Sequence, residues 1–154
     1  GPHTISVPRL KKADDIVQRA GRIVLRTAWH DPAVTEHIAS LVPFEAFSTE
    51  EQAKALAWLY GLHLAGERPT DARAQAELSE AVATEISRSL AEDTGTMDAL
   101  EAYDDSMRRL RRTYLAQLFE EHTRRADRWE KENDARFLQE LAQIQRIKNE
   151  MEGL

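Results

Sequence analysis

The apolar positions of this chain recur at steps of three and four, and the longest such run lies in its last third. One stripe runs through Leu100, Tyr103, Met107, Leu110, Tyr114, Leu118, His122, Ala126 and Trp129. That spacing places one face of an amphipathic helix against a core. Between Gly95 and Gly153 there is neither glycine nor proline to stop it. After Leu110 the steps become consecutive fours, which predicts a change of packing partner near Tyr114. A second stripe follows at Phe137, Leu141, Ile144 and Met151, with Leu138 and Ile147 on its flanks. The polar run Lys131-Glu132-Asn133-Asp134 separates the two and offers Asn133 or Asp134 as a new N-cap. A single straight helix would extend roughly 80 Å at about 1.5 Å per residue and leave both stripes bare. The pattern therefore predicts a helical hairpin.

The earlier chain reads as shorter helices. One should start at Asp14 or Asp15, bury Ile16, Ala20, Ile23, Val24 and Ala28, and end at His30-Asp31-Pro32. Pro32 opens a short helix carrying Val34, Ile38 and Leu41, and Pro43, Phe44 and Phe47 make an apolar connection. Ser48 with Glu51 has the spacing of a capping box. The helix that follows carries Leu56, Leu59, Tyr60 and His63 on one face and Trp58 and Leu62 beside them. An arc so wide predicts a central position. Gly66 should close it, Asp71 to Leu78 is a short helix or turn, and Ser79 to Leu90 is a helix through Val82, Ile86 and Leu90. Glu92 to Thr96 breaks the chain before the long helix. No period-two alternation occurs, so the fold class is all-α: an N-terminal multi-helix bundle, a long helix and a C-terminal helical hairpin. The expected division is 1–13 for a tag scar (Gly1-Pro2-His3) and linker, 14–112 for the bundle and 113–154 for the hairpin.

Composition narrows the function classes. With 154 residues, 42% of them hydrophobic, the chain is long enough for a core. A net charge of −6 argues against nucleic acid as the default partner. From Met97 onward, 11 basic residues stand against 13 acidic ones, so no basic half reverses that expectation. The absence of cysteine excludes disulfides and thiolate metal sites and fits a reducing cytoplasm. No apolar run approaches the ~20 residues of a membrane span.

Candidate chemistry is sparse. His30, His37, His63 and His122 fall in separate segments without His-x-x-x-His or Glu-x-x-His spacing. His63 and His122 lie on apolar stripes and are expected to be satisfied core or boundary residues. Asp104 and Asp105 are adjacent on a helix and diverge. Arg108, Arg109, Arg111 and Arg112 form the one charge cluster, read here as a solvated face paired with Glu101, Asp104, Asp105 and Glu120 rather than a phosphate grip. Neither a phosphate-cradling glycine loop nor a nucleophile motif is present, so no catalytic, cofactor or metal residue is expected. What stays open to function is apolar surface. The hairpin is long relative to the bundle and is expected to project from it. Phe119, Leu138 and Ile147 lie off the stripe centres, as docking residues would.

Several segments resemble one family. Arg19-Ala20-Gly21-Arg22-Ile23-Val24-Leu25 followed by His30-Asp31-Pro32 is similar to the start of the C-terminal domain of bacterial DNA primases. Val42-Pro43-Phe44-Glu45-Ala46-Phe47 and Leu64-Ala65-Gly66 fit the same pattern. Arg109 to Leu118 resembles its penultimate helix and Leu138 to Ile147 its return helix. Gly21 stands where the family often has Glu, and Asn133 where its turn often has Gly. The resemblance implies a non-enzymatic fragment of a primase, without cofactor, that docks on the N-terminal domain of the hexameric replicative helicase. It implies docking through Phe137, Leu138, Leu141, Ile144 and Ile147, with Phe119 nearby. It further implies a monomer when free, no direct contact with nucleic acid or membrane, and a cytoplasmic, replisomal setting. The first half also resembles the helicase's own N-terminal collar domain, and a helical nucleic-acid-binding module is the third alternative.

Overall fold

The computed structural model describes residues 7–10 and 15–154, and the chain divides into two compact units, Gly1–Leu110 and Arg111–Leu154. The tag scar and most of the expected linker lie outside the described residues. All regular structure among the described residues is helical. In chain order the helices are α1 (Asp15–His30), α2 (Val34–Leu41), α3 (Glu50–Leu64), α4 (Asp71–Glu77), α5 (Glu80–Leu90), α6 (Ala99–Lys131) and α7 (Arg136–Glu152), with a 3₁₀ turn at Phe44–Ala46 between α2 and α3. The division between the units falls within α6.

In the first unit α3 is central, packing against α1, α2, α5 and the 3₁₀ turn. Its Ala55, Leu56 and Leu59 are fully buried, together with Val24, Leu25 and Ala28 of α1, Ile38 of α2, and Phe47. Burial of each larger side chain here contributes about 1.5–3 kcal/mol by transfer from water. Two ring pairs tie the outer surface of α3 to its neighbours. Trp58 meets Trp29 of α1 at 6.2 Å between centroids, and Tyr60 meets Phe44 edge-on at 5.9 Å.

Capping residues set the boundaries. Thr70, Ser79 and Asp98 accept hydrogen bonds from the N–H groups of Arg73, Val82 and Glu101, opening α4, α5 and α6. For α3 the cap is Thr49, which accepts from the Gln52 N–H at 3.1 Å, one residue beyond the expected Ser48. The pair Thr49/Gln52 has the same spacing as Ser48/Glu51, and Ser48 is buried, which leaves Thr49 to open the helix. At the far end Gly66 takes φ +70°, its N–H bonding the His63 carbonyl and that of Glu67 bonding the Leu62 carbonyl. That pair of bonds is a Schellman termination, which favours glycine because it has no Cβ to clash.

Three expectations fail in this unit, each for a local reason. Ile16 is 58% exposed, while Val17, Gly21 and Leu25 are buried in its stead. The helix is rotated so that Arg19, Arg22 and Arg26 reach the end of α5. The Glu92 carboxylate accepts from Arg19 and Arg22 at 2.9 and 3.0 Å, and Arg26 donates to the Glu92 carbonyl at 2.6 Å. Cations at this site are favoured because helix-end carbonyls there carry partial negative charge. The same rotation seats Gly21 against the Gln52 side chain, where no Cβ fits without moving that side chain. Gln52 is itself held by its Nε2 donating to the Gln18 carbonyl and Glu85, each at 3.2 Å. The second failure is Leu10, read as linker. It is 1% exposed, and its N–H donates to the Ala46 carbonyl at 2.7 Å, so this stretch is part of the bundle. The third is Leu100, which is exposed although it begins the expected stripe. That stripe starts in practice at Tyr103, whose hydroxyl lies 2.7 Å from Nδ1 of His37 on α2.

In the second unit α6 and α7 form an antiparallel pair. Arg111 meets Glu150, Phe119 meets Lys148, His122 meets Glu140 and Trp129 meets Arg136, so partners draw together toward the turn. The turn forms where the polar run predicts it, with a refinement. Asn133 is left-handed at φ 52°, its N–H bonds the Glu130 carbonyl, and the Asp134 N–H bonds the Trp129 carbonyl at 2.8 Å. Asn133 thus terminates α6 in a second Schellman motif, and asparagine tolerates this conformation better than most residues. Asp134 Oδ1 then accepts from the backbone N–H of Arg136 at 2.9 Å and starts α7.

Candidate docking surface

The hairpin has a thin interior. On α6 the buried positions of this unit are Tyr114, Leu115, His122 and Ala126, and on α7 they are Glu140 and Ile147. Phe137 and Ile144 are partly covered along the same side of α7. At about 100° per residue, Phe137, Glu140, Ile144 and Ile147 fall within one arc of about 80°. That arc is rotated by about 40° from the one expected around Phe137, Leu141, Ile144 and Met151.

A buried polar pair causes the rotation. His122, 5% exposed, places Nδ1 2.5 Å from Oε2 of Glu140, itself 7% exposed. Turning Glu140 inward to meet His122 brings Ile147 inward with it and carries Leu141 outward. Burying a carboxylate in so small a core is tolerable only with such a partner. The signal was present in the sequence, because Glu140 lies three residues after Phe137 and four before Ile144. His122 meets the expectation of a satisfied boundary residue, as does His63, whose Nε2 lies 3.1 Å from Glu36.

The six candidate docking residues separate accordingly. Leu138 is 69% exposed on the side of α7 away from α6, and Leu141 is 43% exposed on the flank between that side and the seam. Phe137 and Ile144 are half-buried in the hairpin seam. Ile147, expected on a flank, is 5% exposed and belongs to the seam. Phe119 is partly covered, with the Lys148 Nζ 5.9 Å from its ring centroid. Met151 is 36% exposed at the end of α7.

Charged groups close the hairpin at both ends. Near its open end Arg111 donates to Glu150 at 2.8 Å, and Arg112 reaches the Leu154 carbonyl at 3.4 Å. Arg111 therefore binds α7 and Arg112 the residues that follow it, where same-helix acids were expected as partners. At the turn the Arg136 guanidinium lies 3.7 Å from the Trp129 ring centroid and binds Asp134 at 2.7 Å. That hydrogen bond holds the Arg136 pKa above its ordinary value. Along α6 the Glu121 carboxyl is held below the usual range, chiefly by its hydrogen bond from Arg124.

Among the described residues, no group of three or more His, Asp or Glu is placed to hold a metal ion. No described helix is long and apolar enough to cross a membrane. In comparisons with known proteins, no family model, curated protein or solved structure matches this chain.

Proposed function

We propose that this chain is a protein-docking domain that binds its partner through the outer side of α7, and that the partner is the N-terminal domain of a replicative helicase. The observation that carries the docking reading is Leu138, 69% exposed on a helix whose opposite side is already filled. An exposed leucine with a second, Leu141, one turn away matches the anchor spacing by which one helix docks in an apolar groove. The identity of the partner rests on the resemblance to the C-terminal domain of bacterial primases. A helical bundle followed by a long helix and a return helix supports it, as does the left-handed Asn133 where that family's turn often has glycine. On this reading the chain catalyses nothing itself. It brings a primase to the helicase, coupling primer synthesis to unwinding in the cytoplasm.

Binding of the purified chain to the helicase N-terminal domain, measured by calorimetry, tests the proposal. Burial of one such leucine is worth about 1.5–3 kcal/mol, so Leu138→Ala should weaken binding roughly 10- to 100-fold. Its melting temperature should match that of the parent protein, because the side chain is exposed when free. Parent-like binding by the Leu138→Ala/Leu141→Ala variant would remove this side of α7 from the interface.

A further inference from the structure

The inward positions of the hairpin form one unbroken series through its turn. On α6, Leu115, Leu118, His122, Ala126 and Trp129 follow one another at steps of three and four. The next step of four from Trp129 is Asn133, in the turn, and the next is Phe137, from which Glu140, Ile144 and Ile147 continue at the same steps. Counted at about 100° per residue as one helix, the whole series falls within a single arc of about 100°. Only residues 132–135 separate α6 from α7, and neither glycine nor proline stands among them. Asn133 is the one non-glycine position among the described residues with a left-handed backbone, φ 52°. A straight helix would release that conformation, which L-residues adopt at a cost.

We infer that the chain exchanges α7 with a second copy of itself. Residues 99–152 of each copy then form one helix, and two such helices lie antiparallel, each α7 covering the other copy's α6. The pairs that close the hairpin fit one register. Arg111 with Glu150, Phe119 with Lys148, His122 with Glu140 and Trp129 with Arg136 are all centred within about two residues of residue 132. Every pair is therefore kept when α7 comes from the other copy, with the two-fold axis passing beside Asn133. An occupant of this seam must present a carboxylate to His122 and an apolar group where Ile147 sits, and α7 of an identical chain does both. Within one chain, α7 faces its own α6 at an effective concentration on the order of millimolar, so closure prevails in dilute solution. Asp134, accepting from the Arg136 N–H at 2.9 Å, also favours the closed form. The exchange is independent of helicase docking, because Leu138 stays on the outer side of α7 in either form.

The test is sedimentation equilibrium of the full chain, refolded at concentrations from about ten micromolar to about one millimolar. Four versions are compared: the parent, Asn133→Gly, Asn133→Leu and a deletion of residues 132–135. The parent should be monomeric at the low end and partly dimeric at the high end. Asn133→Gly, at ease in the left-handed turn and poor in a straight helix, should weaken dimerisation at least about tenfold. Asn133→Leu, disfavoured in the turn and apolar at the two-fold axis, should strengthen it at least about tenfold. The deletion sets Trp129 and Phe137 four residues apart, which keeps their phase but leaves no turn, so this version should be dimeric throughout. In the dimer, isotope-filtered NOEs between labelled and unlabelled copies should join His122 to Glu140 and Phe119 to Lys148. A deletion version that stays monomeric would overturn the inference, and it keeps the test decisive should Asn133→Leu not fold. So would a dimer constant indifferent to the residue at position 133, or a dimer lacking those NOEs.

Discussion

The bundle and the hairpin solve the same problem, burying helix stripes, with different materials. Around α3 the bundle surrounds one helix with neighbours, and its core is dominated by aliphatic side chains that are fully buried. The hairpin has two helices, so each residue is covered from fewer sides, and its centre holds the polar pair His122 and Glu140. An apolar core is indifferent to which aliphatic groups face which. A hydrogen-bonded pair is directional, so it sets the rotation of α7 and thereby decides which leucines remain outside. The hairpin trades core strength for a specified outer surface, whereas the bundle keeps its strength.

Core truncation should expose that contrast most strongly. Leu59→Ala should cost about 2–5 kcal/mol, because a fully surrounded site relaxes poorly. Ile147→Ala should cost about 2–3 kcal/mol, since the thinner hairpin collapses more easily around the gap. Amide hydrogen exchange distinguishes the two: Leu59→Ala should release protection across α1, α3 and α5, and Ile147→Ala mainly in α7. Equal losses in both regions from either variant would show that the units do not differ in this way.

The polar pair gives the next largest effect. Glu140→Ala leaves His122 buried without its partner, a cost of about 1–3 kcal/mol. Replacing both by leucine should recover most of that stability, as buried polar pairs seldom out-stabilise apolar packing. The double variant should nevertheless lose the fixed rotation of α7. Helicase binding by the His122→Leu/Glu140→Leu variant should therefore fall while its melting temperature recovers. Recovery of both would mean that the pair adds stability only.

How legible this was in the sequence follows the same division. Stripe spacing identified α1, α2, α3 and α5 but left α4 open between helix and turn, and Gly66 and Ser79 mark boundaries by local chemistry alone. The rotation of α1 was hidden, because Arg19, Arg22 and Arg26 find their partner in Glu92, some seventy residues away in the chain. Leu10 was hidden for a similar reason: a single leucine beside proline and cations has no periodicity to mark it. On α7 hydrophobicity alone favours Leu141 over Glu140 as the inward position. Only the position of His122 on the facing helix makes the carboxylate the inward choice.

A smaller effect separates the regions by pH. Burial pushes the Tyr103 hydroxyl up to about 12, with the charges of Asp104 and Asp31 adding to it. A folded pKa above the unfolded value of about 10 contributes stability that is complete below pH 10 and lost as pH rises toward 12. Tyr103→Phe should flatten the alkaline loss of bundle stability across that window, relative to the parent. Hairpin protection should respond less, and identical alkaline profiles for parent and variant would contradict this role for Tyr103.

The division of α7 into an inner side that holds the hairpin and an outer side that docks is tested most directly by a methyl NMR titration. Leucine and isoleucine methyls of the full chain are followed as unlabelled helicase N-terminal domain is added. The account predicts that Leu138 and Leu141 shift or broaden first and most, with Ile144 and Ile147 following weakly and Leu59 unmoved. Perturbation centred on the bundle, with Leu138 and Leu141 unchanged at saturation, would contradict it.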